Sequence, residues 1–347
     1  MRIVVNNIAA ITGGAMTVLK DFYNCVCQND KENEWIFLLS DKFFDETDNV
    51  KIVTLPEIKK NPFKKVLFDF VTGKKYINKL KPDVVFSMQN IMTFGVKAPQ
   101  IVYLHQSIPF QRVKKFSFLK GSERKLAFIQ YFIGPILKLT VKKCDKVIVQ
   151  TKWMKEAVTY ICKVKDDKVF QIPPNVKNIS HLKEENMFSK ENFFYPTSPA
   201  LYKNNKCIFD ACEILKGEGI AFNTVLTLPE NKSVDGIKCI GRIPYEEVIA
   251  YYNRSTLIFP SYIETFGYPM TEARKMGAIV LASDCAFSRE ALENYENAYF
   301  FNPFDASELS ILMKKVINGE IVRKKTDDLT DDIKDNWKII MDRVLSL

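Results

Sequence analysis

Two carboxylates bracket a glycine in the segment Phe259-Pro260-Ser261-Tyr262-Ile263-Glu264-Thr265-Phe266-Gly267-Tyr268-Pro269-Met270-Thr271-Glu272-Ala273. An apolar run leads into it, and Pro269 suits a first helical turn, where a missing N–H costs nothing. The segment reads as a strand-to-helix junction. Glu264 stays in the loop, and Glu272 falls near the helix start, facing inward. Backbone N–H groups around Phe266 and Gly267 are then free to meet an anion. Donors for a diphosphate beside carboxylates for sugar hydroxyls are what a nucleotide sugar requires. On spacing alone, ordinary loop and first-turn acids are the alternative.

Three further positions could contribute. The turn Ala9-Ala10-Ile11-Thr12-Gly13-Gly14-Ala15 follows the first apolar run. Paired glycines there let backbone approach a ligand, and the next helix offers N–H groups to a phosphate; a plain tight turn is the alternative. It is not GxGxxG, which disfavours a nicotinamide-dependent dehydrogenase. Lys203 precedes a helix-like stretch, and His105 follows an apolar strand. Taken alone, each would pass for a surface lysine and a structural histidine. With two histidines and eight scattered cysteines lacking any CxxC spacing, no metal site and no cofactor are expected, and the cysteines read as reduced core thiols of a cytosolic protein.

The elements that must position these residues alternate. Short apolar runs at Arg2–Ile8, Trp35–Ser40, Lys51–Leu55, Asp83–Met88, Ile101–Leu104 and Lys146–Thr151 read as buried parallel strands. Helix-like stretches such as Ala15–Cys27, Phe63–Leu80 and Glu123–Lys143 separate them. The apolar run in Arg124–Ile133 favours a buried core helix over a surface-lying one. Pro173-Pro174 breaks the pattern, and the alternation restarts at Asn192 and runs to Ile317. The fold class is thus α/β, with two Rossmann-like domains facing each other across a cleft. The boundaries are residues 1–174, 175–330 and a terminal amphipathic helix over 331–347, expected to pack back on the first domain. Ligands of such sheets bind beyond the carboxyl ends of the strands.

Glu264-x7-Glu272 around Phe266-Gly267 resembles the E-x7-E signature of family 4 (group 1) retaining glycosyltransferases. The likeness extends over most of the chain. Cys144–Thr151 resembles the family's last N-domain strand, Ile172-Pro173-Pro174-Asn175-Val176 its crossover, and Gly241–Val248 the segment that holds the nucleotide base. The resemblance implies the GT-B architecture, with the acceptor on the first domain and the donor on the second. It implies that Glu272 bonds the nucleotide ribose, Glu264 holds hydroxyls of the transferred sugar, Lys203 neutralises the leaving diphosphate, and His105 lies near the donor sugar. Gly13, Gly14, Arg242, Ile243, Phe266 and Gly267 would complete the donor site. One departure stands out. The family often has Gly-Arg ahead of the lysine, whereas Tyr195-Pro196-Thr197-Ser198-Pro199-Ala200-Leu201-Tyr202-Lys203 has no arginine. The helix N-terminus near Gly267, Arg242 or Arg274 would have to compensate.

Charge divides the chain. Residues 1–175 hold 29 Lys+Arg and 16 Asp+Glu; the rest holds 21 and 25. A basic acceptor domain fits an anionic or membrane-presented acceptor, here expected to be a polyprenyl-diphosphate-linked saccharide of bacterial surface-polysaccharide assembly. A solvated lysine surface is the alternative. Nucleic acid is not expected, since lysine outnumbers arginine and the aromatics sit in apolar runs. With no cleavable leader or spanning run expected, the protein reads as cytoplasmic, with a peripheral place on the inner membrane face. The expected activity is hexosyl transfer with retention from a nucleotide-diphospho-sugar, independent of metal. A nucleotide-sugar epimerase of the same architecture and a catalytically decayed sugar-nucleotide-binding subunit are the rivals.

Overall fold

A computed structural model describes residues 1–10, 14–183, 187–326 and 335–347. Seven parallel strands, β1 (Arg2–Asn7), β2 (Glu34–Leu39), β3 (Val50–Thr54), β4 (Val84–Ser87), β5 (Gln100–Tyr103), β6 (Lys146–Val149) and β7 (Val169–Gln171), form one sheet in the order β3-β2-β1-β4-β5-β6-β7. Six more, β8 (Asn192–Tyr195), β9 (Asn223–Leu226), β10 (Ile237–Cys239), β11 (Thr256–Phe259), β12 (Val280–Ser283) and β13 (Ala298–Phe301), form a second in the order β10-β9-β8-β11-β12-β13. Strands such as Val84–Ser87 and Thr256–Phe259 are buried throughout, as parallel strands covered on both faces must be. The expected boundary at 174–175 falls between β7 and β8.

Each sheet turns at its middle. The first switches direction between β1 and β4, the second between β8 and β11. Crevices open at such points beyond the strand ends, and His105 and the Glu264 loop follow strands beside or at them.

The terminal helix Asn336–Leu345 returns to the first domain. Asp335 caps it, accepting from the Trp337 and Lys338 N–H groups, which contributes ~1 kcal/mol. Trp337 packs against Phe22, at 6.2 Å, and Tyr103, at 5.9 Å. Asn175 ties the two crossings together, bonding Asp335 Oδ1 at 3.3 Å and the Asn336 N–H at 2.9 Å. Residues 331–334 of the expected helix lie outside the described residues.

The stretches 62–79 and 124–143 differ from the continuous helices expected. Each contains a π-helical turn, Phe68–Thr72 and Ile129–Ile133. Each turn ends at a glycine pressed on a neighbour. A Cβ on Gly73 would stand 2.5 Å from the Phe68 carbonyl oxygen, and one on Gly134 3.0 Å from Pro109. The extra residue in a π turn rotates the helix face. Leu126 and Ala127 are buried with Ile108 and Phe116 in the cluster that holds the second domain's core, while Phe128, Tyr131 and Phe132 are exposed. This corrects the expectation of a wholly buried core helix over 124–133.

Candidate functional site

Strand β11 delivers Ser261 and Glu264 to the cleft. Glu264 Oε1 accepts from the Ser261 hydroxyl at 2.8 Å and from Lys203 Nζ at 2.5 Å. Its other oxygen accepts no hydrogen bond among the described residues. Lys203 closes a short 3-10 turn, Leu201–Lys203, and is followed by Asn204 in the left-handed region at φ 56°. Asn204 fixes that turn by donating to the carbonyls of Pro260, at 3.2 Å, and Pro303, at 2.6 Å. Burial opposes the Lys203 charge, but the Glu264 carboxylate and Tyr195 outweigh it and hold the ammonium above the usual lysine range.

Gly267 turns the loop into the helix Tyr268–Lys275. It sits at φ +83°, and a Cβ there would lie 2.6 Å from Met270 Cε, so only glycine fits without strain. Glu272 then meets two phenols, accepting from Tyr245 at Oε1 and Tyr252 at Oε2, each at 3.1 Å. Burial pushes its carboxyl up, against those bonds and the charges of Lys177 and Lys275. Lys177 stands over the Tyr245 ring at 4.7 Å.

The first domain closes on this loop. Thr265 Oγ1 donates to the His105 carbonyl at 2.9 Å, and the Thr265 carbonyl accepts from Thr151 Oγ1 and Trp153 Nε1, both at 3.1 Å. Glu290 accepts from the N–H groups of Lys152, at 2.7 Å, and Trp153, at 2.8 Å, at the start of the helix Lys152–Cys162. His105 is thus joined to the loop between the two acids. Asn90 Oδ1 accepts from the His105 N–H at 2.7 Å, so its amide nitrogen faces His105 Nε2 at 3.1 Å. Nε2 must therefore accept, and the ring proton sits on Nδ1, which is buried without a partner. Burial lowers the His105 pKa to about 4, so the ring is neutral at physiological pH. Asn7 Nδ2, at the last residue of β1, and Gln89 Oε1, just beyond β4, are likewise buried and unpartnered. Such groups mark places where a ligand or water completes the bonding.

The remaining expected residues scatter more. Phe266 packs edge-on to Tyr268 at 4.9 Å. Arg242 is exposed, and Ile243 half-buried, on the loop before the helix Tyr245–Arg254 that carries both phenols. Gly14 opens the first helix, Gly14–Asn29, and Gly13 lies outside the described residues. Arg274 is turned to the Ala291 carbonyl at 3.0 Å and the Tyr295 ring at 5.5 Å, a bracing role within the second domain. Among the described residues no group of three or more His, Cys, Asp or Glu could hold a metal ion.

Sequence reading passed over Tyr252, Ser261, Asn90, Trp153 and Glu290. Tyr252 had a signal, since it sits seven residues after Tyr245 on one helix face. The cross-domain bonds of Trp153 and Glu290 had none. A cavity of about 630 Å³ adjoins Glu264 on the side of Trp153, within the usual range for small-molecule sites. Phe110, Arg112, Tyr160 and Tyr262 share its wall, and Arg112 stacks on the Tyr160 ring at 4.3 Å.

The profile of the family described as "Glycosyl transferases group 1" matches residues 214–333, which include both acids. The O-antigen chain mannosyltransferase RfbU of Salmonella typhimurium is 22% identical over 286 residues, 76% of each chain. The lipopolysaccharide outer core galactosyltransferase WaaB superposes over 100% of this chain and 99% of its own, at 15% identity and TM-score 0.68. Anabaena HepE, solved in complex with UDP-glucose, superposes over 100% of both chains at 14% identity and TM-score 0.66. The profile falls on the Glu264–Glu272 segment, two parallel sheets in the GT-B fold surround it, and over this stretch the chain is similar to the group 1 glycosyltransferases.

Proposed function

We propose that this protein transfers a hexose, with retention, from a nucleotide-diphospho-sugar on its second domain to a saccharide acceptor on its first. The observation that carries this reading is the largely buried Lys203–Glu264 pair, set one short loop from Glu272 and joined to His105 through Thr265.

The roles follow from the chemistry of each group. Glu272, oriented by two phenols, takes the ribose hydroxyls. Glu264 offers its open oxygen to hydroxyls of the transferred sugar, and neutral His105 offers its Nδ1–H. The bond from the sugar's anomeric carbon to the diphosphate oxygen breaks as negative charge grows on that oxygen. Lys203 and the N–H groups at Gly267 receive that charge, which contributes most when it grows in the transition state. The acceptor hydroxyl forms its new bond on the same face, and the leaving diphosphate takes its proton. With no arginine ahead of Lys203 and Arg274 engaged elsewhere, the lysine and the helix start carry the diphosphate. The bonds from Thr265 and Glu290 hold the cleft closed against water.

The acceptor enters through the cavity beside Glu264, where Trp153, Tyr160 and Tyr262 offer rings to sugar faces. The printed names of the relatives support polysaccharide assembly. From the mannosyltransferase name of RfbU and the UDP-glucose bound to HepE, a mannose donor and UDP-glucose are the first two to test. A lipid-linked acceptor presented at the inner membrane face completes the reading. Incubating the purified protein with a panel of nucleotide sugars and lipid-linked saccharides tests it. Transfer with conserved anomeric configuration by NMR is expected, and a Glu264→Ala variant should keep its fold yet lose transfer. Unchanged transfer in that variant would refute the assigned role.

A further inference from the structure

The cavity beside Glu264 offers few polar side chains. Among its lining residues only Gln111, Arg112, Glu156 and Glu264 carry a charge or an amide. Gln111 is engaged within its own loop: its Nε2 donates to the Lys114 carbonyl at 2.6 Å, and its Oε1 accepts from the Lys114 N–H at 2.8 Å. The Trp153 indole N–H is likewise engaged with the Thr265 carbonyl. Arg112 and Glu156 are exposed and belong to the open rim, with Arg112 laid on the Tyr160 ring. One cation and one anion share that rim, so it does not select for a charged ligand.

The deeper wall is apolar. Phe110, Ile263, Phe287 and Cys285 line the cavity and are only 1% to 5% exposed. Burial pushes the Cys285 thiol up to about 11, so the sulfur is a neutral, apolar surface. Phe110 comes from the first domain and the other three from the second. Ile263 directly precedes Glu264, and Cys285 caps the helix Ala286–Ala291, which contains Phe287. Glu290 of the same helix accepts from the Lys152 and Trp153 N–H groups. The contacts that join the domains therefore also assemble this wall.

Such a wall discriminates between the groups that a sugar can turn toward it. A hydroxyl placed there would leave water and find no side-chain partner, which is unfavourable. A methyl placed there gains, because its apolar surface leaves water. Sugars carry methyls in two common places, at C6 of a 6-deoxyhexose and on the acetamido group of an N-acetylhexosamine.

We propose that this cavity selects an acceptor sugar bearing a methyl group, seated against Phe110, Ile263, Cys285 and Phe287, with its reacting hydroxyl toward the Glu264 end. The rings of Trp153 and Tyr160 cover the sugar's C–H face. The word acceptor rests on the proposed transfer; the methyl seat rests on the cavity alone.

Saturation-transfer NMR with the full chain reads the cavity without turnover. Galactose, 6-deoxygalactose and N-acetylgalactosamine form one set of probes; glucose, 6-deoxyglucose and N-acetylglucosamine form another. In at least one set a methyl-bearing sugar should bind about tenfold more tightly than its parent hexose, or better, with its methyl protons taking the strongest saturation. Preference for the deoxy sugars identifies one source of the methyl, and preference for the acetamido sugars the other. Ala157 lines the same cavity. Ala157→Asn should cut the preference to about threefold or less, with thermal stability unchanged. Cys285→Ser serves if that variant fails to fold, since serine suits the capping position that Cys285 occupies. Equal binding of parent and methyl-bearing sugars, binding of none of them, or a preference that survives in the folded variants would overturn the proposal. Transfer is assayed separately, so a methyl preference without transfer would refute the proposed function alone.

Discussion

Replacing Lys203 with Met should separate the roles assigned to the Lys203–Glu264 pair. Both side chains are largely buried, at 19% and 15% exposure, with 2.5 Å between Nζ and Oε1. Breaking a fully buried pair costs about 3–5 kcal/mol because one charge is left unmatched. Here the remaining solvent contact and the Ser261 hydroxyl bring the expected loss to about 1–2 kcal/mol. The effect on turnover should be larger. Removing one donor that faces a developing oxyanion costs about 10²–10³ in kcat, and the missing arginine leaves Lys203 little support. Lys203→Arg should restore part of the rate, since it restores charge. The ammonium is held above the usual lysine range. A base with a raised folded pKa contributes stability that is full below its unfolded pKa and lost only as pH rises through the folded value. The stability gap between wild type and Lys203→Met should therefore stay constant from about pH 6 to about pH 9. Steady-state transfer, thermal unfolding and calorimetric titration of a nucleoside diphosphate supply the three readouts. A folded Lys203→Met protein turning over within about tenfold of wild type would refute the role given to the lysine.

Other perturbations follow from the same geometry. His105 has its pKa depressed to about 4 by burial, so its contribution is full above about pH 6.5 and is lost as pH falls through that value toward 4. The loss is about 3 kcal/mol at most, and His105→Gln should flatten the acid limb of the stability curve measured by denaturant unfolding. Gly267→Ala forces a Cβ into the left-handed region beside Met270; about 1–2 kcal/mol of stability and most nucleotide affinity should go, by thermal shift with and without nucleotide. Tyr252→Phe removes a donor from Glu272, whose pKa burial has already raised. The pH below which nucleotide affinity declines should move upward, and an unmoved profile would argue against Glu272 as the ribose ligand. Trp337→Ala empties an aromatic cluster shared with Phe22 and Tyr103, so about 3–5 kcal/mol should be lost from the first domain in chemical denaturation.

Strands and the double alternation were legible because buried parallel strands write themselves as unbroken apolar runs. The run at 256–260 led to Glu264 and Glu272 for that reason, and Pro269 marked where the helix begins. The two π turns were not legible. They go with close packing of Gly73 on Thr93 and of Gly134 on Pro109, contacts that local sequence does not encode. For the same reason the apolar run at 126–133 could not reveal which of its side chains face outward. Long-range partners were equally hidden. The Asn90 bond that sets the His105 tautomer and the Glu290 cap on the helix beginning at Lys152 join residues 15 and 138 positions apart.

A crystal structure with a nucleotide-diphospho-sugar analogue probes the proposed grip on the donor most directly. Its diphosphate should lie within hydrogen-bond reach of Lys203 Nζ and the N–H groups at Gly267, with ribose hydroxyls on Glu272 and sugar hydroxyls on Glu264. A donor bound with its diphosphate away from Lys203, or with neither acid touching a hydroxyl, would contradict it.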